Sequence, residues 1–442
     1  GVKLQDSAHR RADTLPTVMR TGLLQAFCLH LHTQSWIGAD EAQESRASIS
    51  HWMQSPNVSL PFFTNAMRNE CLSYLNILLR ENSYSDHVVH AHEAHDPYQR
   101  ELRFGFDDVP YPPPKAWHFT FIDLFAGIGG FRLAFQNAGG KCVFSSEWDK
   151  HAKQTYEANF GEYPYGDIRR IQKSEIPDHD VLCAGFPCQP FSLAGVSKKN
   201  SLGRKHGFED ETQGTLFFEI KETLRIKRPK AFMLENVKYL LCHDRGRTFE
   251  VIRSSLEEQL GYVISWKVVD GAKWVPQHRE RLFILGFDPR QMHISRDEIC
   301  IPSKPGEGYR YPELSTIISK KVEGHTLGPG TWDTLLRHRA YHESQGNGFG
   351  YGIHRLPIKV GEVTRTISAR YHKDGAEILI EQKNDRPRRL TVSEAMQLQG
   401  FDPERFVFPV SSTQAYRQIG NSVVVPAIQA SAEVIAQIIG DI

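Results

Sequence analysis

Five short apolar runs punctuate the middle of the chain: Phe119–Phe125, Gly140–Phe144, Val181–Ala184, Ala231–Leu234 and Arg281–Phe287. Amphipathic stretches with helical spacing separate them. A strand covered on both sides has no polar face to display, so near-continuous apolar runs alternating with helices predict a parallel sheet with helices on both faces. Gly166-Asp167-Ile168 reads as the end of a further strand. Outside this region the pattern changes. Residues before about 110 carry helical periodicity and little strand signal, and Pro110-Tyr111-Pro112-Pro113-Pro114 interrupts it as a linker would. Residues 288–385 lose the alternation and become rich in Gly, Pro, Tyr and His, as expected of a loop-rich insertion. Residues 388–402 and 426–439 again read as helices.

Composition adds limits. The 442 residues are 40% hydrophobic and 24% charged, ordinary values for a globular protein. No apolar run approaches the roughly 18 residues of a membrane span, and residues 1–20 lack the apolar core of a signal peptide. Cys28, Cys71, Cys142, Cys183, Cys188, Cys242 and Cys300 are scattered and form no CxxC pair, which fits free thiols in a reducing cytoplasm. The net charge of +1 does not announce a polyanion binder. Its distribution says more. Residues 1–119 hold 10 Lys and Arg against 13 Asp and Glu, whereas Ser197–Lys205 has four cations and no acid. That segment would gain affinity for a polyanion by counterion release, although a charge run alone fits a solvated loop equally well.

Two local patterns carry chemistry. Gly185-Phe186-Pro187-Cys188-Gln189-Pro190-Phe191-Ser192 follows directly on an apolar run and places a thiol in a stiff turn at a strand end. A thiol held there is positioned as a nucleophile. Cys183, five residues earlier on the run, reads as a small buried hydrophobe. In Phe121–Gly130 a strand meets a glycine turn and a helix start; about twenty residues on come Glu147 and Trp148, then Asp167. An acid after the second strand suits a ribose, an indole suits a purine face, and a further acid suits an exocyclic amine. The glycine spacing is not the GxGxxG of pyrophosphate binding, which favours S-adenosyl-L-methionine over a dinucleotide.

These residues fall into an ordered set of blocks. Asp123–Gly130 (DLFAGIGG), Gly185–Ser192 (GFPCQPFS), Gly214–Ile220 (GTLFFEI), Glu235-Asn236-Val237, Pro276–Arg281 (PQHRER), Arg389–Phe401 and Tyr416–Val424 (YRQIGNSVV) together resemble the DNA (cytosine-5)-methyltransferase family over about residues 119–442. Within it, Gly346–Gly352, Thr366–Arg370, Lys373–Leu379 and the long loop Leu193–Arg204 resemble the bacterial Dcm-type subgroup that methylates CCWGG. The resemblance implies an α/β, Rossmann-like S-adenosylmethionine-dependent methyltransferase fold with a smaller loop-rich target-recognition domain and a helical N-terminal extension. The expected division is 1–115 for the extension and linker, 116–300 for the catalytic domain, 301–400 for target recognition and 401–442 for a return to the catalytic domain.

The same resemblance assigns roles. Cys188 would add as a thiolate to cytosine C6. Glu235 would bind N3 and the 4-amino group, Arg281 would hold O2, and Arg279 would support it. S-adenosyl-L-methionine would be bound by Phe125, Ala126, Gly127, Ile128 and Gly130, by Glu147, Trp148, Asp167 and Ile168, and by Pro187, Leu216, Asn421, Ser422 and Val423. Duplex DNA would be met by Gln189, Ser192, Lys198, Lys199 and Arg204 beside the nucleophile, and by Arg365, Thr366, Ser368 and Arg370 in the recognition segment. The target base must leave the stack to react. No metal is expected, no residue stands out as the base for the C5 proton, and the expected state is a monomer on DNA, with or without a restriction endonuclease of the same specificity. Two alternatives accompany this reading. The substrate could be an RNA cytosine, against which the long insert 288–385 argues, or Ser45–Met53 could be the second helix of a helix-turn-helix regulating its own operon.

Overall fold

The computed structural model describes residues 20–38, 41–81, 104, 106, 108–187, 215–347 and 351–440. Its centre is a six-stranded sheet in the order β2-β1-β3-β4-β6-β5. The strands are β1 (Phe119–Leu124), β2 (Gly140–Ser146), β3 (Val181–Gly185), β4 (Ala231–Val237), β5 (Val263–Asp270) and β6 (Glu280–Phe287). The inner strands are buried on both faces, and their side chains divide between two apolar clusters, one on each side of the sheet. β1 stands between β2 and β3, so the chain leaves it to one side and later crosses to the other. Ligands of open α/β sheets bind at such a reversal, outside the carboxyl ends of the strands.

Three expectations need correction here. The sheet is mixed: β1 to β4 pair in parallel, but β6 is antiparallel to both β4 and β5. β5 went unread because it alternates buried with half-exposed positions and carries Ser265 and Lys267 on an outer strand. The expected strand at Gly166–Ile168 is instead a single bridge from Ser146 to Tyr165, followed by a short turn of 3₁₀ helix over Ile168–Arg170.

Three N-terminal helices, α1 (Arg20–Thr33), α2 (Ala42–Gln54) and α3 (Asn65–Glu81), enclose a core of their own around Phe27, Trp52 and Leu75. α2 also docks on the catalytic sheet. The face proposed to read DNA is therefore buried: Ser45 and Ala47 to Gln54 are all shielded from solvent, and a recognition helix must be exposed. Gln54 reaches Arg132, which also bonds Glu162 at 2.9 Å; all three are buried. Arg132 lies on α4 (Gly130–Asn137), the helix that follows β1. The proline-rich stretch expected as a linker is also docked. Tyr111 is buried, donates its N–H to the Asn159 carbonyl and packs under Arg405.

A smaller three-stranded sheet holds β7 (Ile353–His354), β8 (Leu379–Gln382) and β9 (Asp385–Arg389) beside the helix Pro329–Ser344. Residues 388 and 389, expected in a helix, end β9; the helix itself spans Val392–Gln397, where Thr391 and Glu394 form a capping box. Packing does not break at residue 301: Ile301, Leu314 and Ile317 share the central core with Phe283 and Val425. No single helix among the described residues is long and apolar enough to cross a membrane.

Truncating one partner of a buried ion pair strands the other charge. Glu162→Ala is expected to lower unfolding free energy by about 3–5 kcal/mol, read from urea denaturation of the full chain.

Candidate active site

Several of the predicted residues lie at the carboxyl edge of the sheet. After β1 the backbone turns sharply: Phe125 and Gly127 both take positive φ (53° and 55°), and Gly129 follows at 92°. A Cβ at Gly129 would lie 2.2 Å from the Phe160 ring, so only glycine fits there. A Cβ at Gly127 would meet nothing within 4 Å, which leaves open space above the turn. Glu147, just beyond β2, is buried and binds the turn directly: one carboxylate oxygen accepts the Gly127 N–H at 2.7 Å and the other the Asp149 N–H at 2.8 Å. Desolvation raises its pKa, and those backbone donors oppose the rise. Trp148 beside it is 77% exposed, an indole face with no cover. Val423 closes the far side, its Cγ2 2.7 Å from where a Cβ at Gly130 would stand. Ala126, Ile128 and Gly130 are buried in the turn; Ser422 and Asn421 lie next to Val423 with increasing exposure.

Asp167 is placed nearby but is not a free acid. It caps the 3₁₀ turn through the Arg169 N–H and pairs with the Arg169 guanidinium, whose bonds hold its pKa below the usual range. Ile168 beside it is buried. Leu216 opens the helix Leu216–Lys227, capped by the Thr215 hydroxyl on the Phe218 N–H.

β3 leads towards Cys188. Phe186 is buried and Pro187 exposed; Cys188, Gln189, Ser192, Lys198, Lys199 and Arg204 lie outside the described residues. Cys183 is fully buried, and burial pushes its thiol well above the ordinary range, so it is an inert core residue. In register, Gly185 on β3 faces Glu235 on β4, which faces Phe283 on β6; two residues on, Val237 faces Arg281. The Glu235 side chain is 12% exposed, and Arg281 Nε stands 3.3 Å from its Oε1. Burial raises the Glu235 carboxyl pKa, with Arg281 and then Arg279 opposing. Sequence reasoning gave no role to Asn236. Its amide donates to the Phe186 carbonyl at 2.9 Å and its oxygen accepts the Val237 N–H, tying the loop after β3 to the end of β4. Only its place inside the Glu-Asn-Val block hinted at this.

Arg279 is the residue expected to support Arg281 and not to hold the base itself. It is buried and donates to the carbonyls of Ile367, Gly420 and Ser422 at 2.8–2.9 Å. It therefore joins the recognition segment to the closing block and does not reach across to Glu235. Gln277 extends that junction, accepting the Ile367 N–H and donating to the Leu398 carbonyl. Of the predicted DNA contacts, Arg365 and Arg370 are exposed, while the Thr366 hydroxyl bonds the His278 carbonyl and the Ser368 hydroxyl bonds Glu377.

A family model for C-5 cytosine-specific DNA methylases matches residues 119–437. The chain belongs to this family. It is 43% identical over 422 aligned residues to the DNA-cytosine methyltransferase of Escherichia coli (strain K12), covering 80% of this chain and 87% of that one. It is 47% identical over 341 residues to the type II methyltransferase M1.ScrFI of Lactococcus lactis subsp. cremoris, covering 76% and 83%. The solved structure of the S. pombe Dnmt2 methyltransferase matches with a TM-score of 0.54 at 16% identity, over 72% of this chain and 98% of that one, a likeness of fold. The methylase family takes its methyl group from S-adenosylmethionine. The edge described fits such a donor: an open glycine turn, an uncovered indole and a buried carboxylate converge where an adenosine would lie.

Asn236→Ala removes the bond that anchors the Phe186 carbonyl. We expect kcat to fall on the order of 10- to 100-fold while affinity for S-adenosylmethionine stays close to the parent, as measured by steady-state methylation and calorimetry.

Proposed function

We propose that this cytosine-5 DNA methyltransferase acts on a cytosine flipped from a short duplex site, with CCWGG the expected target, through a covalent bond from Cys188 Sγ to C6. The observation that carries the reading is the meeting of Glu235 and Arg281 at 3.3 Å beside the strand that leads to Cys188. An acid and a guanidinium there can bracket the N3 and O2 edge of one pyrimidine ring.

The steps balance as follows. As the Sγ–C6 bond forms, the C5–C6 double bond opens and charge moves towards N3 and O2. Glu235, whose burial favours the protonated form, donates to N3, and Arg281 meets the charge on O2. C5 becomes nucleophilic. S-adenosylmethionine, when bound, would supply an electrophilic methyl to it, the sulfonium S–CH3 bond breaking as the C5–CH3 bond forms and a neutral thioether leaving. The C5 proton then leaves to water, the C–S bond breaks and the aromatic ring is restored. Glu147, Trp148 and the Phe125–Gly130 turn hold the donor, with Asp167, Ile168, Pro187, Leu216 and Asn421–Val423 around it. Arg365 and Arg370 meet the duplex from the recognition segment, as do the cations at 198, 199 and 204. Arg279 is a positioning residue for the junction behind the base. The type II methyltransferases among the relatives support a modification role opposite a restriction endonuclease of the same specificity.

Labelled methyl should enter duplex DNA and not tRNA, and bisulfite sequencing of DNA from expressing cells should mark the inner cytosine of CCWGG; label in tRNA alone would overturn the reading. Cys188→Ser should abolish turnover and keep donor binding, measured by calorimetry. A raised carboxyl pKa keeps Glu235 protonated where an ordinary glutamate has ionised, so kcat should fall as pH rises through that value. Glu235→Gln should lower kcat about 10²- to 10⁴-fold and remove this alkaline limb, as read from a pH–rate profile.

A further inference from the structure

α2 turns two different faces inward. Ile49, Trp52 and Met53 pack into the core of the N-terminal unit. Ser48, Ser50, His51 and Gln54 are equally buried, yet they are polar and point at the catalytic domain. Each bonds a segment that carries cofactor residues. His51 Nε2 accepts the Ser145 N–H at 3.0 Å, two residues before Glu147. β2 is the outermost strand on that side, so this N–H has no neighbouring strand to receive it. The bond from His51 Nδ1–H to the Ala47 carbonyl, 2.8 Å, places the proton on Nδ1 and lets Nε2 accept, with the Glu162 carboxylate 3.2 Å away. Gln54 Oε1 accepts from Arg132 at 2.6 Å, two residues after Gly130, and its amide donates to the Phe160 carbonyl at 2.7 Å. Ser50 Oγ accepts the Tyr163 N–H at 2.9 Å, and Ser48 Oγ accepts from the Tyr165 hydroxyl at 3.0 Å. The Tyr165 carbonyl then accepts the Glu147 N–H at 2.8 Å, and the chain runs on to Asp167.

We propose that α2 is a positioning element of the cofactor site, holding the end of β2, the start of α4 and the 163–168 segment from behind so that their donor-binding residues converge. An interface built only for adhesion has no need of four buried polar side chains aimed at these three segments. The proposal rests on the assignment of Glu147 and the glycine turn to S-adenosylmethionine.

The test uses the full chain, with donor affinity from calorimetry, steady-state constants for donor and duplex, and circular dichroism to establish folding. His51→Ala and Gln54→Ala should each weaken S-adenosylmethionine binding about five- to tenfold, while KM for duplex stays within about twofold. His51→Gln keeps an oxygen able to accept the Ser145 N–H and should recover part of the loss. Ser45→Ala removes a buried hydroxyl of the same helix that bonds only back to the Glu41 carbonyl, at 2.8 Å, and should leave donor affinity unchanged. If His51→Ala does not fold, Gln54→Ala and Ser50→Ala decide. Folded variants that bind the donor as tightly as the parent would overturn the proposal, as would an equal loss in Ser45→Ala. Glu147→Gln separates the two readings: normal donor binding there overturns the site assignment and the proposal with it, whereas a loss there without one in the α2 variants overturns the positioning role alone.

Discussion

Because β6 runs against β4, the start of one strand lies beside the end of the other, and residue 281 meets residue 237. A parallel strand in that place would carry Arg281 to the opposite edge, roughly 20 Å from Glu235 at about 3.3 Å per residue. The reversal is thus what brings an acid from one strand and a guanidinium from another within 3.3 Å of each other. The remaining parts of the edge depend on it. Gly185 passes Glu235 so closely that a Cβ there would lie 3.1 Å from its carboxylate. Asn236, next on the strand, grips the loop towards Cys188. Arg279, just before the strand, fixes the recognition segment and the closing block.

The sheet's inner strands were legible in the sequence because burial on both faces writes itself as an unbroken apolar run. Strand direction was not, since Arg281–Phe287 reads the same whichever way it pairs. β5 escaped for the opposite reason: an outer strand may mix Trp266 with Ser265 and Lys267, and no run appears. The site was legible as far as its chemistry dictates residue type. A turn that needs positive φ shows as glycine, and the acid proposed to face the base shows as Glu235. Roles defined only by distant partners did not show. Asn236 and Gln277 bond main-chain groups far along the chain, and the supporting role expected of Arg279 carried no hint of its three carbonyl partners.

The reading of α2 as a DNA-reading helix failed for an instructive reason. Serines, a histidine and a glutamine along one helix are the side chains that read base edges, and they are equally the side chains that satisfy a bare sheet edge. Sequence pattern cannot distinguish a nucleobase from a peptide group as the hydrogen-bond partner. Burial can, and here Ser48, Ser50, His51 and Gln54 are all turned away from solvent. The N-terminal unit is therefore joined to the catalytic domain by polar contacts as well as by packing.

The covalent bond proposed between Cys188 and the target base is tested most directly by trapping. The full chain would be incubated with a duplex carrying 5-fluorocytosine at the target position, and the adduct digested and mapped by mass spectrometry. The fluorine cannot leave as the C5 proton does, so a stable adduct on the Cys188 peptide, formed only with S-adenosylmethionine present, is the result predicted. An adduct on a different cysteine, or none from a preparation that methylates ordinary duplex, would contradict it.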